Sequence, residues 1–542
     1  MTRLKGKIIA MVLSSLTLVS SFTVCAQTEN IYGINLEKTL ILNEDPTDFA
    51  YGRAAEGISL NNLTAWADQY VNTNVGAIFL CTQAYRSNYG GNVMETIWEH
   101  KDRTNWTGSL AEGLYSAQKR GLDINGVRVK LLRERNISPW VSLRMNDIHD
   151  STTGVEAGTT STFKGKHNYN VGSKSSGNES YCLDYNLPQV RNFYYSIVRE
   201  NIERYDVDGI ELDWQRECYA INDAEYREAT RAAINSFMRD IRKLLDFWEI
   251  ERGHEIKLAV RVPATVHVAE NSALDAKTWS KERLVDLVTV TARWSSLDTD
   301  MPMEEWIAAL KNESDNQDIQ IGAGLEVLFR SNPSYAPKAD SIETASGAAY
   351  SYLSRGADYI YLFNHMDRHT KMSYNDTDYN LTLNRINSLE NISGHIKRHV
   401  VTYRDKWAID ETPYYALPAT CSTGNTPSFK VHIGTISNRK DRENYYVILG
   451  ENQNLGGEGV GIIDSGTDCT VEVNGAECEY MGKANDLREP TPASGNLKFD
   501  LVKYHIPAAA LQDGYNTVTV TCADGTPREL TWVEIYVEPI TK

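Results

Sequence analysis

The sequence predicts a (β/α)₈ barrel followed by an antiparallel β-sandwich. Three observations carry that expectation. Short β-branched apolar runs alternate with helix-period segments from about residue 39 to 397. After about Val401 the helical period disappears, and strand-like runs punctuated by turn residues replace it. At 542 residues the chain is too long for one ordinary domain and suits a large barrel with a smaller module.

Eight runs read as barrel strands: Thr39–Asn43, Gly76–Thr82, Pro139–Met145, Asp208–Trp214, Ile256–Pro263, Leu287–Ala292, Ile319–Gly324 and Asp358–Phe363. Between them lie helical segments such as Leu60–Val71, Val127–Arg135, Val190–Arg204, Ala224–Phe247, Met303–Leu310 and Ile342–Ser354. Later runs at Phe429–Ile433, Asn444–Leu449, Cys469–Val473, Thr517–Cys522 and Leu530–Val537 read as sandwich strands. Asn474-Gly475, Asp513-Gly514 and Asp524-Gly525 supply hairpin turns between them. The expected organisation is a signal peptide at 1–26, a barrel at 27–400 and a sandwich at 401–542 that braces the barrel or binds sugar.

The signal peptide is read from Arg3, Lys5 and Lys7, the apolar stretch Ile8 to Val24, and the small-residue site Val24-Cys25-Ala26. It implies export to the periplasm or beyond. Lipid anchoring through Cys25 is the weaker alternative, because Phe22-Thr23-Val24 is a poor context for it. No later stretch is long and apolar enough to span a membrane. The net charge of -17 provides no basic stripe for phosphates, which argues against a nucleic-acid partner. Aromatics make up 10% of the chain, a richness that suits stacking on sugar rings as well as packing a core. The seven cysteines after Cys25 are widely spaced, with no CxxC or His pair, so neither a metal nor another cofactor is expected. Cys182 with Cys218 is one disulfide option, and free buried thiols are the other.

Barrel active sites lie at the C-terminal strand ends. In strand four, alternation places Glu211 and Asp213 on one face, with Gln215 after them, and Ile210, Leu212 and Trp214 on the other. The apolar face should meet the helices, so the two acids should point into the barrel. Paired carboxylates of divergent pKa are what glycoside hydrolysis needs. Glu211 lies deeper and is the better structural acid; Asp213 is the better catalytic one. Strand three runs into Arg144, Asn146, Asp147 and His149, a polar cluster able to grip hydroxyls. Strand five offers Arg261 as a partner for Asp213 or for an acidic sugar. In strand seven, Gly322 and Gly324 should leave room for a ligand, and Glu326 follows on their face. Arg293-Trp294 end strand six, Asn364-His365 and then Asp367 follow strand eight, and Tyr85 and Arg86 follow strand two. Trp214, Trp294 and Tyr85 are candidate stacking platforms.

Arg144 to His149, Tyr205 to Trp214 and Leu362-Phe363-Asn364 together resemble the glycoside-hydrolase-family-10-like group of bacterial barrel proteins, over roughly residues 39 to 397. Strand four is also similar to the acidic strand of family 18 chitinases, Asp-x-x-Asp-x-Asp-x-Glu, with Gln215 in place of the last acid. Family 10 xylanases carry one Glu after strand four and another after strand seven, and Glu217 and Glu326 stand at those places. The resemblance implies an exported glycoside hydrolase using two carboxylates on a poly- or oligosaccharide. Asp213 is the expected nucleophile or base and Glu326 the expected acid, with Glu217 as its substitute. Arg144, Asn146, Asp147, His149, Arg261 and Asn364 position the sugar. A non-catalytic glycan-binding barrel and a lyase on acidic sugars are the alternatives.

Overall fold

The computed structural model describes residues 40–540, apart from 47–48, 51–52, 54–56, 85, 100–105, 149–160, 168, 294–295, 336, 368–375, 453–462, 464 and 485–498. The expected signal peptide lies outside the described residues. Among those described, no helix is long and apolar enough to cross a membrane.

Eight parallel strands close into a barrel, each within or overlapping its predicted segment. They are β1 (Leu40–Glu44), β2 (Val75–Gln83), β3 (Ser138–Arg144), β4 (Gly209–Asp213), β5 (Lys257–Val262), β6 (Leu287–Val290), β7 (Gln320–Glu326) and β8 (Tyr359–Phe363). Around the barrel the order is β1-β8-β7-β6-β5-β4-β3-β2. Every residue of β2 is buried, as a parallel strand covered on both faces requires. The predicted alternation of β4 holds: Ile210, Leu212 and Trp214 join the core shared with the helices. The helix Ala224–Arg252 runs past the predicted Phe247 and stops at Gly253, whose φ of 74° ends it as a left-handed cap.

Inside the barrel the aromatic rings are packed by removing neighbouring side chains. Phe79 stacks on Trp140 at 4.6 Å, and a Cβ on Gly209 would lie 2.3 Å from the Trp140 ring. Gly322 and Gly324 serve the same end. A Cβ on Gly322 would lie 2.0 Å from the Tyr359 ring, and one on Gly324 2.5 Å from Thr291. The space expected there for a ligand is filled by the protein's own side chains.

The second module consists of two antiparallel sheets. The larger has the order β9 (Lys397–Val400), β18 (Arg528–Pro539), β12 (Glu443–Asn452), β16 (Phe499–His505), β15 (Glu479–Lys483), with β10 (Ala419–Cys421) also paired to β18. The smaller has the order β11 (Ser428–His432), β17 (Tyr515–Cys522), β13 (Cys469–Val473), β14 (Ala476–Glu477). Strand β9 lies before residue 401 yet pairs with β18, so the sandwich sheet starts inside the segment assigned to the barrel.

The central strands β12 and β18 of the larger sheet are buried on both faces. Val447, Leu449, Val533 and Ile535 fill the sandwich core, while Tyr446, Ile448, Trp532 and Tyr536 join the barrel's core. The barrel helix Ile342–Ser354 lies against β9 so closely that a Cβ on Gly347 would sit 2.1 Å from the Arg398 carbonyl oxygen. Backbone cannot yield as a flexible side chain can. Gly347→Val should therefore destabilise the chain by about 1–3 kcal/mol or more, read as a lower melting temperature. An unchanged melting temperature would contradict this close seam.

Candidate active site

The register brings Arg144, Asp213 and Arg261 side by side on β3, β4 and β5. Asp213 and Arg261 form a two-point ion pair: Arg261 Nε donates to Oδ1 at 2.8 Å and Nη2 to Oδ2 at 2.9 Å. Both side chains are buried. Asp213 Oδ1 also accepts from the backbone amides of Gln215 and Arg216, each at 3.0 Å. Asp213 thus fixes the turn that leaves β4. The Arg261 guanidinium lies 3.9 Å from the centre of the Phe363 ring, a cation–π contact that supports its other face.

One layer deeper, Glu211 Oε2 accepts from Asn43 Nδ2 at 3.2 Å and from the Tyr361 hydroxyl at 3.0 Å. Asn43 also donates to Ser142 Oγ at 3.1 Å. Burial, and then the neighbouring Asp213 charge, push the Glu211 carboxyl up from 4.5 to about 7. These contacts tie β1, β3, β4 and β8 together.

Above this layer the mouth is polar. Arg144 pairs with Asp45 at 3.0 Å and with Asp147 at 3.2 Å, so Arg144 serves these acids while Arg261 serves Asp213. Arg216 Nε lies 3.9 Å from Asp147, and Lys164 Nζ donates to the Asp147 carbonyl. Asn146 Oδ1 accepts from the Leu183 amide at 3.1 Å, anchoring the following loop. Gln215 is fully buried, and neither of its amide atoms has a hydrogen-bond partner among the described residues.

Glu217 follows on the same loop and is 6% exposed. Its Oε2 lies 3.4 Å from Arg293 Nη1 but takes no hydrogen bond among the described residues. Burial raises its carboxyl, opposed by Arg293, Arg216 and Lys406 and assisted by Asp147. Glu326 ends β7 and is buried. Asn364 Nδ2 donates to both of its oxygens, at 3.1 and 3.0 Å. Asn364 does so from a left-handed backbone, φ 62°, which Asn tolerates better than most residues.

The remaining expected residues divide. Trp214 points outward, 1% exposed, with its ring 4.8 Å from Tyr185 in the core, so it is no stacking platform. Its parity decides this, since it shares the helix-facing side of β4. His365 is fully buried: its Nδ1 bonds the Phe363 carbonyl at 3.1 Å and its Nε2 lies 3.6 Å from Asp340. It belongs to the wall of the barrel. Arg86 turns toward Thr96, with Glu95 and Glu99 nearby, and organises the loop after β2. Tyr85, His149 and Trp294 lie outside the described residues, and so does the Asp367 side chain. All seven described cysteines are free, so Cys182 and Cys218 do not form a disulfide. Cys182 Sγ instead donates to the Glu217 carbonyl at 3.8 Å.

Sequence reasoning missed Lys406 and Glu179. They form an ion pair, and the charge of Lys406 also acts on Glu217. Lys406 comes from the segment between β9 and β10 of the larger sandwich sheet. The adjacent Asp405 accepts from the Arg293 amide at 2.7 Å. Lys406 stands outside any helix or strand and Glu179 in a five-residue 3-10 helix too short to show a period, so no local signal marks them. Among the described residues, no three His, Cys, Asp or Glu side chains are grouped to hold a metal ion.

No family model matches the chain, and no curated protein matches it. Solved structures do match. The glycoside hydrolase domain of PgaB (BpsB) from Bordetella bronchiseptica is 12% identical, covers 62% of this chain and 99% of its own, and gives a TM-score of 0.39. A chitinase from Bacillus thuringiensis is 10% identical, covers 92% of this chain and 100% of its own, and gives 0.37. A cycloisomaltooligosaccharide glucanotransferase from Paenibacillus sp. is 11% identical over 92% of this chain, with a TM-score of 0.33. The chain spans only 57% of that last structure.

Two outcomes follow from the barrel interior. Arg261→Met leaves Asp213 buried without its cation and should cost about 3–5 kcal/mol, seen in chemical denaturation; a loss below 1 kcal/mol would refute the pair's importance. Glu211 is raised in the folded state, so its stabilising contribution is complete below 4.5 and is lost as pH climbs toward about 7. The melting temperature of Glu211→Gln should therefore rise relative to the unsubstituted protein between acidic and mildly alkaline buffer. Parallel melting curves across that range would contradict the shift.

Proposed function

We propose that the chain is a glycoside hydrolase acting at the C-terminal mouth of its barrel. Glu217 is the general acid and Glu326 the second carboxylate. Glu217 carries this reading: it is a buried acid on the loop after β4, raised above its ordinary value, with Oε2 engaged in no hydrogen bond among the described residues. A carboxyl whose burial makes it hold its proton more tightly than usual suits donating a proton to a glycosidic oxygen. Glu326 suits the complementary role. The two hydrogen bonds from Asn364 orient it, as a nucleophile or a base needs.

Asp213, the nucleophile or base expected from the sequence, becomes a positioning residue in this reading. Its oxygens already accept four hydrogen bonds, and two of them shape the turn leading to Glu217. Gln215, with an unused donor and an unused acceptor, is suited to a substrate hydroxyl. Export, as the N-terminal segment suggests, fits a poly- or oligosaccharide substrate.

The test is a screen of the purified chain against a polysaccharide and aryl-glycoside panel, followed by two variants on the best substrate. Glu217→Gln should lower kcat by about 10²–10⁴. It should lose less on aryl glycosides with acidic leaving groups, which need no proton. Glu326→Gln should lose activity on both. Full activity of Glu217→Gln would sink the assignment, and products absorbing in the ultraviolet would indicate elimination in place of hydrolysis.

A further inference from the structure

A cavity of about 400 Å³ lies at the seam between barrel and sandwich. That volume falls within the usual span of small-molecule sites, roughly 300–1,000 Å³. It is enclosed by the Asp298–Asp300 loop after β6, the helix Ile342–Ser354, the segment from Val401 to Ala416, and strand β11. Glu217, Glu326 and Asp213 do not line it.

Its chemistry is unusual for a simple packing defect. His399 lines it while only 3% exposed. The ring bonds the backbone of His432, yet Nε2 has no hydrogen-bond partner among the described residues. Burial keeps that ring neutral, with the Lys397 and His432 charges adding to the effect. A buried polar atom without a partner is costly unless a ligand or water completes it. Asp298 also lines the cavity, and burial raises its carboxyl to about 7. Thr402 and Ser351 add hydroxyls. Trp407 and Tyr414 both line it; Arg404 lies 4.9 Å from the Trp407 ring centre, and Tyr414 is 69% exposed, leaving its ring open to a ligand.

These groups narrow the ligand class. A hydrocarbon would leave His399 Nε2 unsatisfied. The lining carries both signs, Asp298 and Asp300 with Arg404 and Lys430, so it favours no net charge in a ligand. A ring with hydroxyls at its edge and C–H groups on its faces satisfies both the polar atoms and the aromatic rings.

We propose that this seam is a second carbohydrate site, which takes a neutral pyranose unit between the rings of Trp407 and Tyr414 and the polar pair His399 and Asp298. It lies outside the barrel mouth and does not depend on the mouth being catalytic. Because its walls come from both modules, an occupant would also fasten the sandwich to the barrel.

The test is calorimetry on the full chain carrying Glu217→Gln, which slows turnover. The probes are the neutral trisaccharides of glucose, mannose, xylose, galactose and N-acetylglucosamine. At least one should bind, with affinity falling by roughly tenfold or more when Trp407→Ala is added. Ser428→Trp, placed on an exposed lining position to fill the cavity, should abolish the same binding event. Melting curves identify any variant that has lost its fold. Binding retained in both folded seam variants would assign the ligand to the mouth and overturn the proposal, as would failure of every trisaccharide to bind.

Discussion

The ion pair between Asp213 and Arg261 is the constraint on which the upper barrel depends. A closed barrel has no room for an unpaired charge, since a lone buried carboxylate or guanidinium costs several kcal/mol. Here each charge satisfies the other through two hydrogen bonds, and Phe363 covers the guanidinium face. The pair also does more than neutralise. The Asp213 oxygen that meets Arg261 Nε holds two backbone amides of the following turn, so the pair sets the path of the chain toward Gln215 and Glu217.

The mouth above this pair combines rigid and unsatisfied groups. Arg144 is held by two acids from different loops, and Glu326 is held by Asn364. The side-chain amide of Gln215 and one oxygen of Glu217 remain without hydrogen bonds among the described residues. Fixed groups around unsatisfied ones form the arrangement that polar ligand recognition uses, because a ligand can complete the missing bonds without reorganising the site.

The sandwich contributes to this mouth through the segment between β9 and β10. The segment from Val401 to Ala416 lays Asp405 against the Arg293 amide and Lys406 near Glu217. Its larger sheet buries Trp532 and Tyr536 in the barrel's core. Both faces of β12 and β18 are therefore covered, which explains why β12 reads Tyr445-Tyr446-Val447-Ile448-Leu449 without alternation.

The sequence by itself determined the barrel and the faces of its strands. Period-two alternation is a local property of the backbone, so Glu211 and Asp213 inward and Trp214 outward follow from β4 alone. Arg261 as the partner of Asp213 was legible for the same reason, since adjacent parallel strands place matching positions side by side. What only the tertiary structure decided were relations between distant segments: Arg144 turning to Asp45 and Asp147, Gly322 and Gly324 making room for Tyr359 and Thr291, Lys406 reaching toward Glu217, and His399 facing a cavity between two modules. Such contacts depend on how loops and layers fill three-dimensional space, and no periodicity along the chain encodes that.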